Sequence, residues 1–360
     1  MLPVRSTLIP IPQALNTVRV SVVVAAAELD ASLRRLLRSL ESQTLRPWEV
    51  VIVAPAGRGD AAAVVEESSL KVRVIELSRD PGPIRARVFG ALAASSPLIA
   101  FIDSDCVAPR DWLRSMVSDM ERAGVEVVAG SVEGVNLSSF ISRLQEKSLI
   151  SPNPKHCYKL LEGDLGLSLV VTANMLVKRE ALMDDGAIPL SYGRFGFEDL
   201  DFAYRLLKRG CRILCSPTRV GHFNRESLTR VLRRYYEYGR GLPLFRRRAK
   251  GCTYSRVIAA LSYSLVAIIG AAAALAILGY AWLALMLASL PITALYAYHL
   301  SRLRDGGCER LAYPLLDLLL ALTAAVGALH TEVELLAGAF KRKHALQTAS
   351  SPSASYALNV

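Results

Sequence analysis

Two groups of carboxylates in this chain have the spacing to do chemistry. The first is Asp103-Ser104-Asp105, which follows the apolar run Leu98-Ile99-Ala100-Phe101-Ile102. Hard oxygen ligands one residue apart can hold a divalent cation together with a diphosphate. An Asp-capped turn ahead of a helix from Asp111 accounts for the same residues equally well when they are taken alone. The second is Glu198-Asp199-Leu200-Asp201, at the start of a helical pattern that ends at Lys208-Arg209-Gly210. Acidic residues in a first turn complement the helix dipole, but three in four positions exceed what capping requires. Near a helix N-terminus Asp199 has its ionised form favoured, which suits a base that accepts a proton near neutral pH. His222 follows Val220-Gly221; a lone histidine is more often structural than a ligand.

The elements that would position these groups follow from the apolar pattern. Arg19 to Ala25 reads as a buried strand, and Asp30 caps a helix with Leu33, Leu36, Leu37 and Leu40 on one face. A strand over Trp48 to Val53, a short helix over Asp60 to Ser68, a strand over Val72 to Leu77 and a helix over Pro83 to Ala94 lead into the strand that ends at Asp103. Such alternation implies right-handed crossovers and a largely parallel sheet, whose carboxyl edge is where ligands bind. A helix over Asp111 to Ala123 and a strand over Val125 to Val132 come next. Between Glu133 and Gly166 only a helix near Phe140 to Ser148 is assigned. Leu167 to Val177 reads as a strand with Asn174 its odd polar residue, and Arg212 to Ser216 as another.

At 360 residues and 52% hydrophobic the chain is more apolar than a soluble protein of its size, and the excess is local. Val257 to Ser301 contains no Asp, Glu, Lys or Arg. As one helix that stretch would span about 67 Å, twice a hydrocarbon core of about 30 Å, so it predicts a hairpin of spans over 257–278 and 281–298 turning at Gly279-Tyr280. A third apolar stretch over 311–330, interrupted by Asp317, reads either as a third span or as a helix lying in the interface. The third span would place Lys341, Arg342 and Lys343 outside, against the positive-inside tendency. The net charge of +11 is concentrated before the hairpin, with nine Lys or Arg between Arg225 and Lys250. Beside an apolar span such a cluster fits the cytoplasmic face of the cell membrane better than nucleic acid, and no nucleic-acid partner is expected. Residues 226–253 read as a basic amphipathic helix at that surface. The expected organisation is an N-terminal segment (1–17), a cytoplasmic catalytic domain (18–225), this interfacial segment, a multi-pass membrane domain (254–340) and an Ala/Ser-rich disordered tail (341–360). Six cysteines without CxxC or a His-Cys cluster read as packing residues.

With these residues in view, positions 18 to 223 resemble the inverting glycosyltransferases of family 2. The motifs run in order: VSVVV with its following helix, Gln43-Thr44, Gly82-Pro83-Ile84-Arg85-Ala86-Arg87, Phe101-Ile102-Asp103-Ser104-Asp105, Ala173-Asn174, and Phe197-Glu198-Asp199-Leu200-Asp201 with Arg205. Several motifs in the right order are a strong signal where one would be weak. The resemblance implies a GT-A fold, an α/β Rossmann-like mixed sheet, here followed by C-terminal membrane helices. It implies a divalent metal, Mn or Mg, held by Asp105 with Asp103 and His222, and a nucleotide-sugar donor met by Asp103, Arg87 and Glu28. Asp199, with Glu198 beside it, would be the base toward a lipid-linked or glycan acceptor, and Asn174 and Asp201 would lie on the acceptor side. Acidic residues that usually follow the first two strands are replaced by Ala25-Ala26-Ala27-Glu28 and Ala54-Pro55-Ala56-Gly57, with Glu28 or Asp60 as substitutes, so base recognition must differ. A catalytically silent membrane scaffold and a nucleotidyltransferase are the rival classes.

Overall fold

The computed structural model describes residues 18–182, 192–302 and 307–338. Expectations for Lys341 to Lys343, for the N-terminal segment and for the tail fall outside them. The chain begins with β1 (Val20–Ala25), α1 (Ala31–Glu41), β2 (Glu49–Pro55), α2 (Ala61–Glu66), β3 (Val72–Leu77), α3 (Pro83–Ala93) and β4 (Leu98–Asp103). The Asp30 cap expected from the sequence forms, accepting from the Ser32 and Leu33 amides, and Asp60 caps α2 by accepting from that of Ala63. Then follow β5 (Cys106–Val107), α4 (Trp112–Ala123), β6 (Val127–Gly134), α5 (Phe140–Lys147), β7 (Lys159–Leu161), β8 (Asn174–Lys178), α6 (Arg179–Leu182), α7 (Glu198–Lys208) and β9 (Ile213–His222).

All nine strands share one mixed sheet, ordered β3-β2-β1-β4-β8-β6-β9-β5 with β7 also on β9. Strands β3, β2, β1 and β4 are mutually parallel, and β8 then runs antiparallel to both β4 and β6. The parallel arrangement read from the alternation therefore holds for β3-β2-β1-β4 and again for the β6–β9 pair, with β8 antiparallel between them. Two stretches differ from their sequence reading. The strand expected over 167–177 is reduced to Asn174–Lys178, because the preceding residues turn away and Leu167 is exposed. The strand expected over 212–216 runs on to His222, past an irregularity between β6 and β9 at Gly130/Ser131.

Alternation of side chains along the strands divides the core between the faces of the sheet. Val22, Val24, Ala100, Ile102 and Leu176 meet α1 and α4 through Leu33, Leu36, Trp112 and Met116. Val23, Ile99, Phe101 and Met175 meet α3 and α7 through Ala91, Leu200, Phe202 and Leu206. Cys106, Cys215 and Cys252 are buried packing residues as expected, whereas Cys157 and Cys308 are exposed.

Beyond β9 the chain is helical: α8 (Leu228–Arg248), α9 (Thr253–Ile277), α10 (Ala281–Arg302) and α11 (Glu309–Leu336). The basic helix α8 is part of the packing of the α/β domain, since Leu244 and Phe245 enter the same core as Phe101 and Phe202. Gly279, at φ +84°, turns the chain between α9 and α10. Helices α9, α10 and α11 are each long and apolar enough to cross a membrane.

Candidate active site

Strand β4 delivers Asp103 to the carboxyl edge of the parallel strands, level with Ala25 of β1. Helix α3 packs beneath that edge and carries Arg87, which is only 6% exposed. One terminal nitrogen of Arg87 donates to Asp103 Oδ1 at 2.6 Å, and the other lies 3.6 Å from Asp199 Oδ1. Burial works against the charge on Arg87, but Asp103, Asp199 and Glu198 together outweigh it and raise its pKa. The two carboxylate groups picked out in the sequence are thus joined through one cation.

Asp199 reaches this position from the first turn of α7. Thr172 holds it twice, the hydroxyl donating to Oδ1 at 2.7 Å and the amide to Oδ2 at 3.2 Å. Just before the helix, Phe197 adopts a left-handed conformation, φ +71°, and stacks on Phe245 of α8 with centroids 5.5 Å apart. A bulky side chain in that region costs about 1–2 kcal/mol, so the turn is held from outside. Helix α8 holds it: a Cβ on Gly241 would stand 1.9 Å from the Gly196 carbonyl, and the Gly196 amide donates to the Glu237 carbonyl at 3.3 Å. Glu198 is buried behind the pair, and burial together with the Asp199 charge pushes its carboxyl up to about 7 against the opposing pull of Arg234 and Arg87.

On the other side of the edge, the short bridge between β5 and β9 sets Cys106 opposite His222. That register brings His222 Nε2 to 3.4 Å from Asp105 Oδ2, with the Phe223 amide donating to the Asp105 carbonyl at 3.0 Å. Burial pulls the Asp105 carboxyl upward, but hydrogen bonding and charge from His222 win and hold it below its usual range. Burial likewise lowers His222, while Asp105, Asn224 and Asp103 raise it overall. Among the described residues no three acidic, histidine or cysteine side chains converge as a complete metal cage. Asp103 is turned to Arg87, so the expected trio is reduced to a facing pair, Asp105 and His222. An oxygen and an imidazole nitrogen suit Mn or Mg, which keep several waters and take phosphate oxygens rather than an all-protein cage. The donor set therefore fits a metal that arrives with a diphosphate.

Four further expected residues lie apart from this cluster. Glu28 is exposed and faces Arg58 at 3.7 Å, while Asp60 is engaged as a helix cap. Asn174 is fully buried, accepting from the Trp112 indole at 2.8 Å and donating to the Ser131 and Thr218 carbonyls. Asp201 is 1% exposed and paired with Arg205 at 2.9 Å. Neither Asn174 nor Asp201 presents an atom to solvent, so the acceptor contacts expected of them do not form; both hold the elements around the site. Thr172, Arg234 and Gly241 escaped the sequence reading. Only Thr172 left a signal, a second polar residue beside Asn174 in the apolar run.

Residues 21–186 match the family model described as Glycosyl transferase family 2. A pre-mycofactocin glycosyltransferase of Mycobacterium tuberculosis is 27% identical over 236 residues, covering 61% of this chain and 46% of that protein. The succinoglycan biosynthesis protein ExoO of Rhizobium meliloti is 28% identical over 234 residues, 62% of this chain and 66% of its own. The chain thus spans about half the length of the mycobacterial relative. Among solved structures, a mannosyltransferase from Pyrobaculum calidifontis in complex with GDP-Man and Mn2+ superposes with a TM-score of 0.55 at 20% identity, covering 86% of this chain and 87% of that one. That likeness is one of fold.

Proposed function

We propose, from the match of residues 21–186 to the family 2 glycosyltransferase model and the likeness of fold to a solved mannosyltransferase, that this protein moves a sugar from a nucleotide-sugar donor to a lipid-linked or glycan acceptor at the membrane. The observation that carries the reading is the Arg87 bridge, which joins the Asp103 end of β4 to Asp199 at the head of α7. A donor diphosphate lying along the sheet edge and an acceptor hydroxyl at Asp199 would then share one opening, where Asp103 and Asp105 keep 32% and 41% of their side chains exposed.

Asp199 is the base. Its carboxylate, oriented by Thr172, takes the proton of the acceptor hydroxyl as that oxygen attacks the anomeric carbon from the face opposite the nucleotide, a single displacement with inversion. Glu198 retains a proton up to about pH 7, which limits the negative charge beside the base. Arg87 keeps Asp103 in place against the donor's sugar or ribose. Asp105 and His222 would hold Mn2+ or Mg2+, which supplies neutralisation of the charge on the departing diphosphate. Helices α9 and α10 tether the domain to the membrane that carries the acceptor, with the basic α8 on the cytoplasmic side.

The test is sugar transfer or donor hydrolysis by membranes containing the full chain, screened across nucleotide sugars with Mn2+ or Mg2+. Turnover that needs metal and vanishes in Asp199→Asn supports the reading. Tight binding of nucleoside diphosphates with no turnover on any acceptor overturns it in favour of a catalytically silent relative.

A further inference from the structure

Helix α11 has the length of a membrane span, about 42 Å for 28 residues, but its two ends meet the same domain. At the N-terminal end Glu309 pairs with Arg143 at 2.6 Å and Lys147 at 2.5 Å, both on α5 of the catalytic domain. Two turns on, Asp317 accepts from the Ser148 hydroxyl at 2.6 Å and the Leu149 amide at 2.9 Å, in the loop that follows α5. At the C-terminal end Glu332 pairs with Arg247 at 2.6 Å and Arg246 at 3.5 Å, and Glu334 pairs with Arg240, all on α8. Between these anchors α8 and α11 cross in backbone contact: a Cβ on Gly239 would stand 1.9 Å from the Ala324 carbonyl, and one on Gly327 2.3 Å from the Tyr236 carbonyl. A helix that spans a bilayer separates its ends by the hydrocarbon thickness, about 30 Å. Here both ends are ion-paired to one water-facing domain.

The hairpin meets α11 only near its feet in the described hydrogen bonds. Near the C-terminal foot, Tyr296 of α10 donates to the Leu311 carbonyl at 2.9 Å, and His299 lies 2.9 Å from Asp317. Near the N-terminal foot, Tyr263 of α9 donates to Glu332 at 2.8 Å, and Ala259 packs with Ala328 and Leu242. Asp317 and Glu332 are about 22 Å apart along α11, so the helix runs across the base of the hairpin. The exposed side of α11 is one apolar stripe from end to end, Leu311, Leu315, Leu319, Val326, Val333 and Leu336. The opposite side is docked against the rest of the chain, with Glu309, Asp317 and Thr331 buried beside Tyr313, Leu320 and Ala328. Polar loop backbone such as that at Ser148 and Leu149 is not tolerated in lipid hydrocarbon.

We infer that α11 lies flat in the leaflet beside the catalytic domain, a crossbar under the feet of the α9–α10 hairpin with its Leu/Val stripe in the acyl region, so that the chain crosses the bilayer twice. From the crossbar onward α9 and α10 extend about 22 to 27 Å. An interfacial helix sunk about 5–10 Å into the headgroup boundary leaves the hairpin long enough to cross. The inference concerns architecture and stands whether or not the protein turns over a nucleotide sugar.

The experiment is labelling of the full chain in right-side-out and inverted vesicles with a membrane-impermeant maleimide. It compares native Cys308 with Gly338→Cys and Gly279→Cys, each in a background without the other exposed cysteine sites. Labelling of Cys308 and Gly338→Cys from one side and of Gly279→Cys from the other is the expected result. Labelling of Gly338→Cys from the Gly279 side means a third span, and labelling of all three from one side means no crossing hairpin; either overturns the inference. A second readout does not depend on the end position: spin labels at Leu315→Cys and Val326→Cys report one shared shallow depth if α11 is a crossbar. A depth that changes from headgroup to bilayer centre between them overturns it.

Discussion

Asp103 at the end of β4 and Asp199 at the head of α7 share one buried guanidinium, that of Arg87, at 2.6 Å and 3.6 Å. The cation has no substitute of equal reach: a lysine offers a single point of charge where arginine offers a fork. Losing it leaves the Asp103, Asp199 and Glu198 carboxyls close together without compensation. Arg87→Ala is expected to lower stability by about 3–5 kcal/mol, the usual cost of removing one partner from a buried charged network. Arg87→Lys should recover part of that stability but little donor affinity, which thermal unfolding with and without a nucleoside diphosphate will separate.

Asp199→Asn should reduce transfer by about 10^2- to 10^4-fold, the range associated with a positioned general base. Folding should survive, because the amide keeps an acceptor for Thr172. The contrasting variant is Asp201→Asn: its buried pair with Arg205 makes stability the property that changes, with the residual activity of folded enzyme retained. Initial rates normalised to folded protein distinguish the two.

The Glu198 carboxyl, pushed up to about 7 from an unfolded value of 4.5, binds its proton more tightly in the folded protein than in the unfolded chain. Its contribution is fully present below pH 4.5 and is lost as pH rises through 7. The wild type without added metal should therefore lose on the order of 3 kcal/mol across that window from this group. Glu198→Gln should flatten the curve of melting temperature against pH over the same interval; an unchanged slope would remove Glu198 as its source.

Chelation should abolish turnover, and added Mn2+ or Mg2+ should restore it. In His222→Ala the metal concentration for half-maximal rate should rise by about 10- to 100-fold while the donor KM at saturating metal changes little. A metal requirement identical to wild type would exclude His222 as a ligand.

Gly241→Ala places a Cβ against the Gly196 carbonyl, where 1.9 Å is available. Neither backbone can yield without moving Phe197 and the first turn of α7. A melting temperature several degrees lower and a fall in kcat larger than any rise in KM are the expected outcomes, because the shift reaches Asp199 before it reaches the donor edge.

Much of this architecture is local enough to be written in the sequence. Buried strands announce themselves as unbroken apolar runs, and helices by leucines at helical spacing behind Asp30 and by acids leading bases along α7. The charge-free stretch from Val257 to Ser301 reports a hairpin because no water-soluble helix pair omits charge for so long. Both carboxylate groups were visible for the same reason, each being contiguous in the chain.

What the tertiary structure decided are the relations between distant residues, which leave no periodic trace. Extension of β9 past the expected Ser216 is a matter of pairing with β6 and β5, and it alone brings His222 to Asp105. Asn174 and Asp201 carry the same polar chemistry as their neighbours, and only burial shows them serving Trp112 and Arg205. Apolar composition makes α11 a competent span; only the tertiary structure shows ion pairs from both its ends to α5 and α8. Sequence specifies the elements because backbone preference and hydrophobic period act over a few residues, whereas the convergence of Asp103, Arg87 and Asp199 exists only once the sheet has stacked α3 and α7 on one face.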